Sequence, residues 1–203
     1  MNEKFFDLKK EKQDRMINAA LKLFAENGYR RASTDDMVKE AGISKGLLFH
    51  YFGSKLGLYE FVYDYSVKFL AMELSSVLHQ EETDFFVLRG QIEQAKVAVM
   101  KNFPYMQMFL YRASKEDETE ALTAITEKRQ QLRELYDSMY SHVDESSVAG
   151  GSPDRIRRMT DYTLNGLLED LLRTNSFSSE GYLTEAQTYL DELQRLCGRT
   201  DEA

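Results

Sequence analysis

Proline is almost missing from this 203-residue sequence, which holds only Pro104 and Pro153. Proline removes a backbone donor and clashes with the preceding turn, so it breaks helices from within. A chain so poor in it can run helix after helix, and the apolar spacing predicts that it does. Residues 10–27 place Ile17, Ala20, Leu21 and Phe24 on one face, and Asn27-Gly28 close that helix. Residues 55–79 carry Leu58, Phe61, Val62, Tyr65, Phe69, Met72 and Leu78, a broad face on a long helix. Residues 84–102 repeat the pattern with Phe85, Leu88, Ile92, Ala95, Val99 and Met100. Pro104 opens a short segment, 104–114, that is apolar almost all round, and 117–143 form another long helix. Ala149-Gly150-Gly151-Ser152-Pro153 is the clearest loop. It puts Ser152 at an N-cap and Pro153 at the first helical position. The last two helices are expected at about 154–174 and 180–197. The expectation is an all-α chain of about nine helices.

Within that pattern, residues 33–55 read as two short helices joined by a tight turn. Thr34, ahead of Asp35 and Asp36, is the expected N-cap of the first, with acidic residues in its first turn. Met37, Val38 and Ala41 form its apolar face. Gly42 stands where a helix ends in the left-handed conformation, and Ile43 follows as a buried hinge residue. Ser44 caps the second helix, whose Leu48 and Phe52 are four apart and share a face. Burying that pair turns Lys45, Gly46, Leu47, Phe49, His50 and Tyr51 largely outward. The outward set is apolar, aromatic and basic, with no acid. Gly46 costs about 1 kcal/mol of helix propensity, which makes sense if the backbone must come close to something there. Lys45 suits a phosphate or a guanine edge and Leu47 a thymine methyl. His50, Tyr51 and Lys55 suit phosphates, which fix register without reading sequence. Lys9, Lys10, Lys12 and Arg15 precede or open the first helix, as a solvated arm or as one that touches DNA beside the reading helix.

At these residues the chain resembles the TetR family of bacterial transcription regulators. The matching runs are Ala19 to Tyr29, Ser33 to Gly46, His50-Tyr51-Phe52 and Ser54-Lys55. The resemblance covers roughly residues 10–60. It implies a three-helix helix-turn-helix domain, residues 1–54, followed by a ligand-binding and dimerisation domain, residues 55–203. It implies phosphate contacts from Ser33, Thr34, His50, Tyr51 and Lys55, and a base-facing group of Lys45, Gly46 and Leu47. Ser44 and Phe49 complete the candidate DNA contacts. Phe49 stands where the family usually has Tyr and cannot donate that hydroxyl's hydrogen bond, so it either stacks on the sugar–phosphate backbone or packs within the domain. Leu47 stands where the family often has a smaller residue.

The net charge of −8 argues only weakly against a nucleic-acid partner, because it is unevenly spread: residues 1–60 carry +2 and the remainder −10. One cysteine, Cys197, excludes an intramolecular disulfide and fits a reducing compartment. No run of about 18 apolar residues exists, and no secretory signal is read, so a cytoplasmic protein without a membrane partner is expected. Metal and catalytic motifs are missing, including H-E-x-x-H, G-x-S-x-G and the P-loop. No cofactor is expected. His142-Val143-Asp144-Glu145 reads as a solvated helix end rather than a metal cluster, and His79 as a surface residue.

Met and aromatic residues concentrate in the middle helices, a composition suited to an adaptable pocket. The expected ligand is a small apolar or amphipathic effector, and Phe69, Met72, Met106, Phe109 and Tyr162 are the candidate lining. The last two helices carry more apolar surface than one face needs, which fits the four-helix homodimer interface that the resemblance implies. The function the resemblance implies is a repressor that releases a palindromic double-stranded DNA operator when the effector binds. The alternative is a helical ligand-binding or adaptor protein that has lost specific DNA binding.

Overall fold

The computed structural model describes residues 3–77, 82–148 and 152–197. Among them the chain forms nine α-helices: α1 (Lys10–Arg31), α2 (Thr34–Ala41), α3 (Lys45–Phe52), α4 (Lys55–Val77), α5 (Phe85–Asn102), α6 (Met106–Ser114), α7 (Thr119–Tyr140), α8 (Pro153–Arg173) and α9 (Ser179–Cys197). The all-α expectation holds, with each predicted helix found within a few residues of its expected ends. Pro104 lies in the turn ahead of α6, and Tyr105 takes the N-cap position. Pro153 is the first residue of α8, behind Ser152. His79, Leu78 and the Ala149-Gly150-Gly151 stretch lie outside the described residues.

The chain divides into two compact units, one of residues 1–69 and 102–132, the other of 70–101 and 133–203. The first unit reaches past the expected boundary at residue 54. Its core explains why. Phe24 of α1 meets Tyr59 of α4 at 4.9 Å between ring centroids, and Tyr59 meets Phe109 of α6 at 5.5 Å. The helices α1 to α3 alone have too little interior to bury such rings. The start of α4 and all of α6 supply it. This is also why α6 is apolar almost all round: Met106, Met108, Phe109 and Leu110 are all buried.

Ahead of the exposed Lys9 and Lys10 the chain is packed down. Residues Glu3–Asp7 form a 3-10 turn whose Phe5 is completely buried. Phe5 packs on Phe52 at 5.1 Å and Phe61 at 5.2 Å. Gln13 fastens the turn from behind, its Nε2 donating to the carbonyls of Phe6 (3.1 Å) and Leu8 (2.8 Å).

In the second unit, Phe85, Phe86, Val148 and Ile156 form an apolar cluster, with Tyr140, Val143, Leu193 and Cys197 packed against it. Asp84 caps α5, its Oδ1 accepting from the backbone N–H groups of Phe86 (2.8 Å) and Val87 (2.9 Å).

Candidate nucleic-acid interface

The two short helices are fixed by local hydrogen bonds. Ser33 caps α2, not Thr34: its extended backbone and its Oγ, accepting from Asp36 N–H at 3.3 Å, define the helix start. Thr34 becomes the first helical residue. Gly42 closes α2 at φ 63°, ψ 44°, a left-handed conformation that costs glycine nothing. The Gly42 and Ile43 N–H groups satisfy the carbonyls of Lys39 and Val38. Ile43 is half-buried rather than buried. Ser44 caps α3 as expected, accepting from Leu47 N–H at 3.2 Å. Both serine oxygens serve as acceptors in these caps, so each O–H remains able to donate to a phosphate.

The buried side of α3 is wider than its sequence implied. Leu48 and Phe52 are 2% and 4% exposed, as expected, but Tyr51 is 8% exposed and leaves the outward set. Its ring packs against Phe5 at 5.7 Å. The arm supplies that partner, and the stripe 48, 51, 52 is the i, i+3, i+4 set of one helical face. What faces outward is Lys45, Gly46 and His50, with Leu47 and Phe49 half-exposed. A Cβ built on Gly46 would meet nothing within 4 Å. The glycine is therefore not required by the packing of its own fold.

The two lysines differ. Lys45 Nζ lies 2.7 Å from Asp35 Oδ1, with both side chains well exposed. Such a pair contributes about 0–1 kcal/mol, so a phosphate displaces it readily. Lys55 is folded inward: its Nζ donates to the Arg30 carbonyl at 3.0 Å and sits 4.8 Å from the Tyr29 ring centre. Burial lowers its pKa, opposed by the carboxylates of Glu120, Glu116 and Glu118. Those acids belong to the turn after α6 and the start of α7, and they hold the end of α1. Glu116 accepts from Tyr29 N–H at 3.1 Å, and Glu120 from the Tyr29 hydroxyl at 2.7 Å. Neither Phe5 nor this acidic corner was marked by any local pattern; each acts across a long sequence separation.

The five candidate ligand residues fall in different surroundings. Met106 and Phe109 are buried in the core of the first unit, and Phe69, in the same unit, is half-buried against Phe103 at 5.2 Å. Met72 and Tyr162, in the second unit, are 56% and 67% exposed. Among the described residues, no helix is long and apolar enough to cross a membrane.

A family model described as bacterial regulatory proteins, tetR family, matches residues 16–62. That stretch contains most of α1, all of α2 and α3, and the start of α4. The uncharacterized HTH-type transcriptional regulator YuxN of Bacillus subtilis is 44% identical over 59 residues, 27% of this chain and 20% of that protein. The chain thus spans about a fifth of that relative's length. Over the whole length the likeness is one of fold. The crystal structure of a TetR family transcriptional regulator from Chloroflexus aurantiacus superposes with a TM-score of 0.64 at 20% identity, covering 98% of this chain and 99% of that one. The regulator FadR of Bacillus subtilis, solved with stearoyl-CoA, gives a TM-score of 0.59 at 15% identity over 88% of this chain and 96% of its own.

Proposed function

The chain is a member of the TetR family, and on that footing we propose that it is a cytoplasmic, dimeric, ligand-responsive repressor. In this reading α3 enters the major groove of a palindromic operator, and a small apolar or amphipathic effector releases it. The observation that carries the reading is the outer side of α3: a first turn of Lys45, Gly46 and Leu47 without an acid, with a glycine that the packing around it does not use. A base edge or phosphate approaching that turn accounts for all three. Ser33, Thr34, Ser44 and His50 then hold phosphates, Phe49 stacks on the backbone, and Lys55 swings out from Arg30 to join them. Tyr51, being mostly buried, contributes through its rim.

Two half-sites need two heads about one helical turn, roughly 34–36 Å, or a multiple of it apart. Exposed apolar side chains on α8 and α9 support pairing through these helices: Met159, Tyr162, Tyr189 and Leu196 are 42%, 67%, 43% and 80% exposed. Gly166 on α8 adds to this, since a Cβ there would meet nothing within 4 Å. Both α4 and α7 contribute residues to each compact unit. An effector that shifts them changes the spacing of the heads, and a coupling of about 1–3 kcal/mol between the two sites is enough. Occupying a promoter represses it without any further surface, so repression is the simplest output.

The test is DNA selected from a random pool by the purified full-length protein, followed by fluorescence anisotropy. A palindromic site is expected, bound two chains at a time. Lys45→Ala should weaken it and flatten the plot of log K against log salt by about 0.9 for each chain bound, about 1.8 for the pair. Selection that returns no enriched sequence, or affinity that ignores both Lys45→Ala and Leu47→Ala, favours an adaptor that no longer reads DNA.

A further inference from the structure

The second unit buries charge where a helical bundle needs none. Arg89, Glu93 and Lys96 lie on one face of α5 at i, i+4 and i+7, and the first two are 2% and 1% exposed. Glu93 Oε1 lies 3.0 Å from Arg89 Nη2 and 2.8 Å from Lys96 Nζ, and its Oε2 accepts from the Tyr182 hydroxyl at 2.7 Å. One buried carboxylate thus serves two enclosed cations. The remaining counter-charge is Asp161 of α8, whose Oδ1 lies 2.5 Å from Arg89 Nη1. Asp161 is 39% exposed, far more open than Arg89, Glu93 or Lys96. Tyr140 of α7 takes a second bond from Nη1 at 3.1 Å, and Arg157, one turn before Asp161, stacks on the Tyr140 ring at 4.2 Å while pairing with Asp137.

The guanidinium is incompletely satisfied. Arg89 Nε and Nη2 are buried and have no aligned hydrogen-bond acceptor; Glu93 is close to Nη2 but badly angled. Nη2 shares one edge of the guanidinium with Nε and another with Nη1, and either edge can grip a carboxylate through two parallel bonds. Four helices converge polar groups here, although apolar residues of the same volume are often as stabilising as a buried ion pair or more so. A buried donor edge left unmade is costly unless something else completes it.

We infer that this cluster is the receptor for the acidic end of an amphipathic carboxylate, which displaces Asp161 from Nη1 and bridges Nη1 and the unsatisfied Nη2 of Arg89. The inference rests on the regulator reading and sharpens it: the effector is an anion with an apolar tail. Asp161, at the exposed side of the cluster, marks the way in, with Arg157 as a cation beside it. Tyr140 and Tyr182 orient the two charged partners.

Straight-chain carboxylates of eight to eighteen carbons, each paired with its primary amide, test this by calorimetry on the full-length protein. At one or more lengths the acid should bind at least ten times tighter than its amide. Asp161→Asn removes the competitor, and should tighten the acid at least threefold while leaving the amide unchanged. Arg89→Gln should erase the difference; should that variant fail to fold, the half-exposed Asp161 position decides. Acid and amide binding alike at every length, no binding of either, or an Asp161→Asn protein with unchanged or weaker acid affinity, each overturns the inference. Binding of the selected DNA, measured in the same preparations without additive, separates the two readings. DNA binding without acid preference sinks this inference alone, whereas acid preference without DNA binding sinks the regulator.

Discussion

The recognition head and the charged cluster on α5 put their polar groups to opposite uses. In the head, Lys45, His50 and Ser44 lie at the surface and Ser33 is half-buried, and what leans on the serines and Lys45 is local: one backbone N–H on each capping serine and the exposed Asp35 on Lys45. Around Arg89, Glu93 and Lys96 are enclosed with it and depend on it, and the half-exposed Asp161 completes the set. A side chain at the surface can be exchanged with small effect on folding, so its identity is free to follow a partner. A side chain in a buried network is held by the network, and removing one member strands the rest. The head should therefore lose binding when altered and keep its fold; the cluster should lose fold first.

The largest effect follows from Glu93. Replacing it by Gln leaves Arg89 and Lys96 facing each other without the carboxylate between them, and about 3–5 kcal/mol of stability should go, read from the denaturant midpoint. A loss under 1 kcal/mol would mean that the cluster is already hydrated, and the contrast with α3 would fail. The pH dependence runs the same way. Desolvation pushes the Glu93 carboxyl up, but Lys96, Arg89 and the hydrogen bonds outweigh it and hold its pKa below the ordinary value of 4.5. A depressed carboxyl adds stability that is present above 4.5 and is lost as the pH falls through the lower folded value. Wild type should therefore lose stability below that point, and Glu93→Gln should lack this component in urea melts across the range.

Phe5→Ala comes next, at about 3 kcal/mol for a fully buried ring. It bears on how much of the molecule the sequence displays. Helix ends were legible because the signals are local: Gly42 after Ala41, Ser44 before Lys45, Pro153 after Ser152. The head was legible for the same reason, since its outward residues sit within seven positions of one another. Phe5 was not, because its partners Phe52 and Phe61 lie about fifty residues on and a lysine-rich start looks solvated. Tyr51 was misplaced as a direct result. The α5 cluster was hidden for a stronger reason. Arg89, Glu93, Tyr140, Asp161 and Tyr182 are scattered over four helices, and an Arg and a Glu four apart look like an ordinary surface pair until the fold encloses them. The same holds for α6, whose apolar surface resembled a pocket lining in sequence and is core packing for Met106 and Phe109.

Ser44→Ala removes the acceptor for Leu47 N–H and should cost about 1 kcal/mol. Operator affinity should fall further than this, because the same hydroxyl is proposed to donate to a phosphate. An affinity loss with no stability loss would break the assignment of Ser44 as the cap.

The smallest change in folding energy is the most telling one, because its sign is opposite. Gly46 lies in the first turn of α3, and a methyl group added there meets nothing within 4 Å. Gly46→Ala should therefore stabilise the protein, by about 0.5–1 kcal/mol at most, through the reduced freedom of the unfolded chain. Should the turn press against a base edge or phosphate, the same methyl group blocks it, and affinity for the selected DNA should fall by tenfold or more. Stability and binding moving in opposite directions at one atom is what a residue kept for a partner predicts. A variant that is both more stable and equally tight would show that α3 presents this face to no duplex.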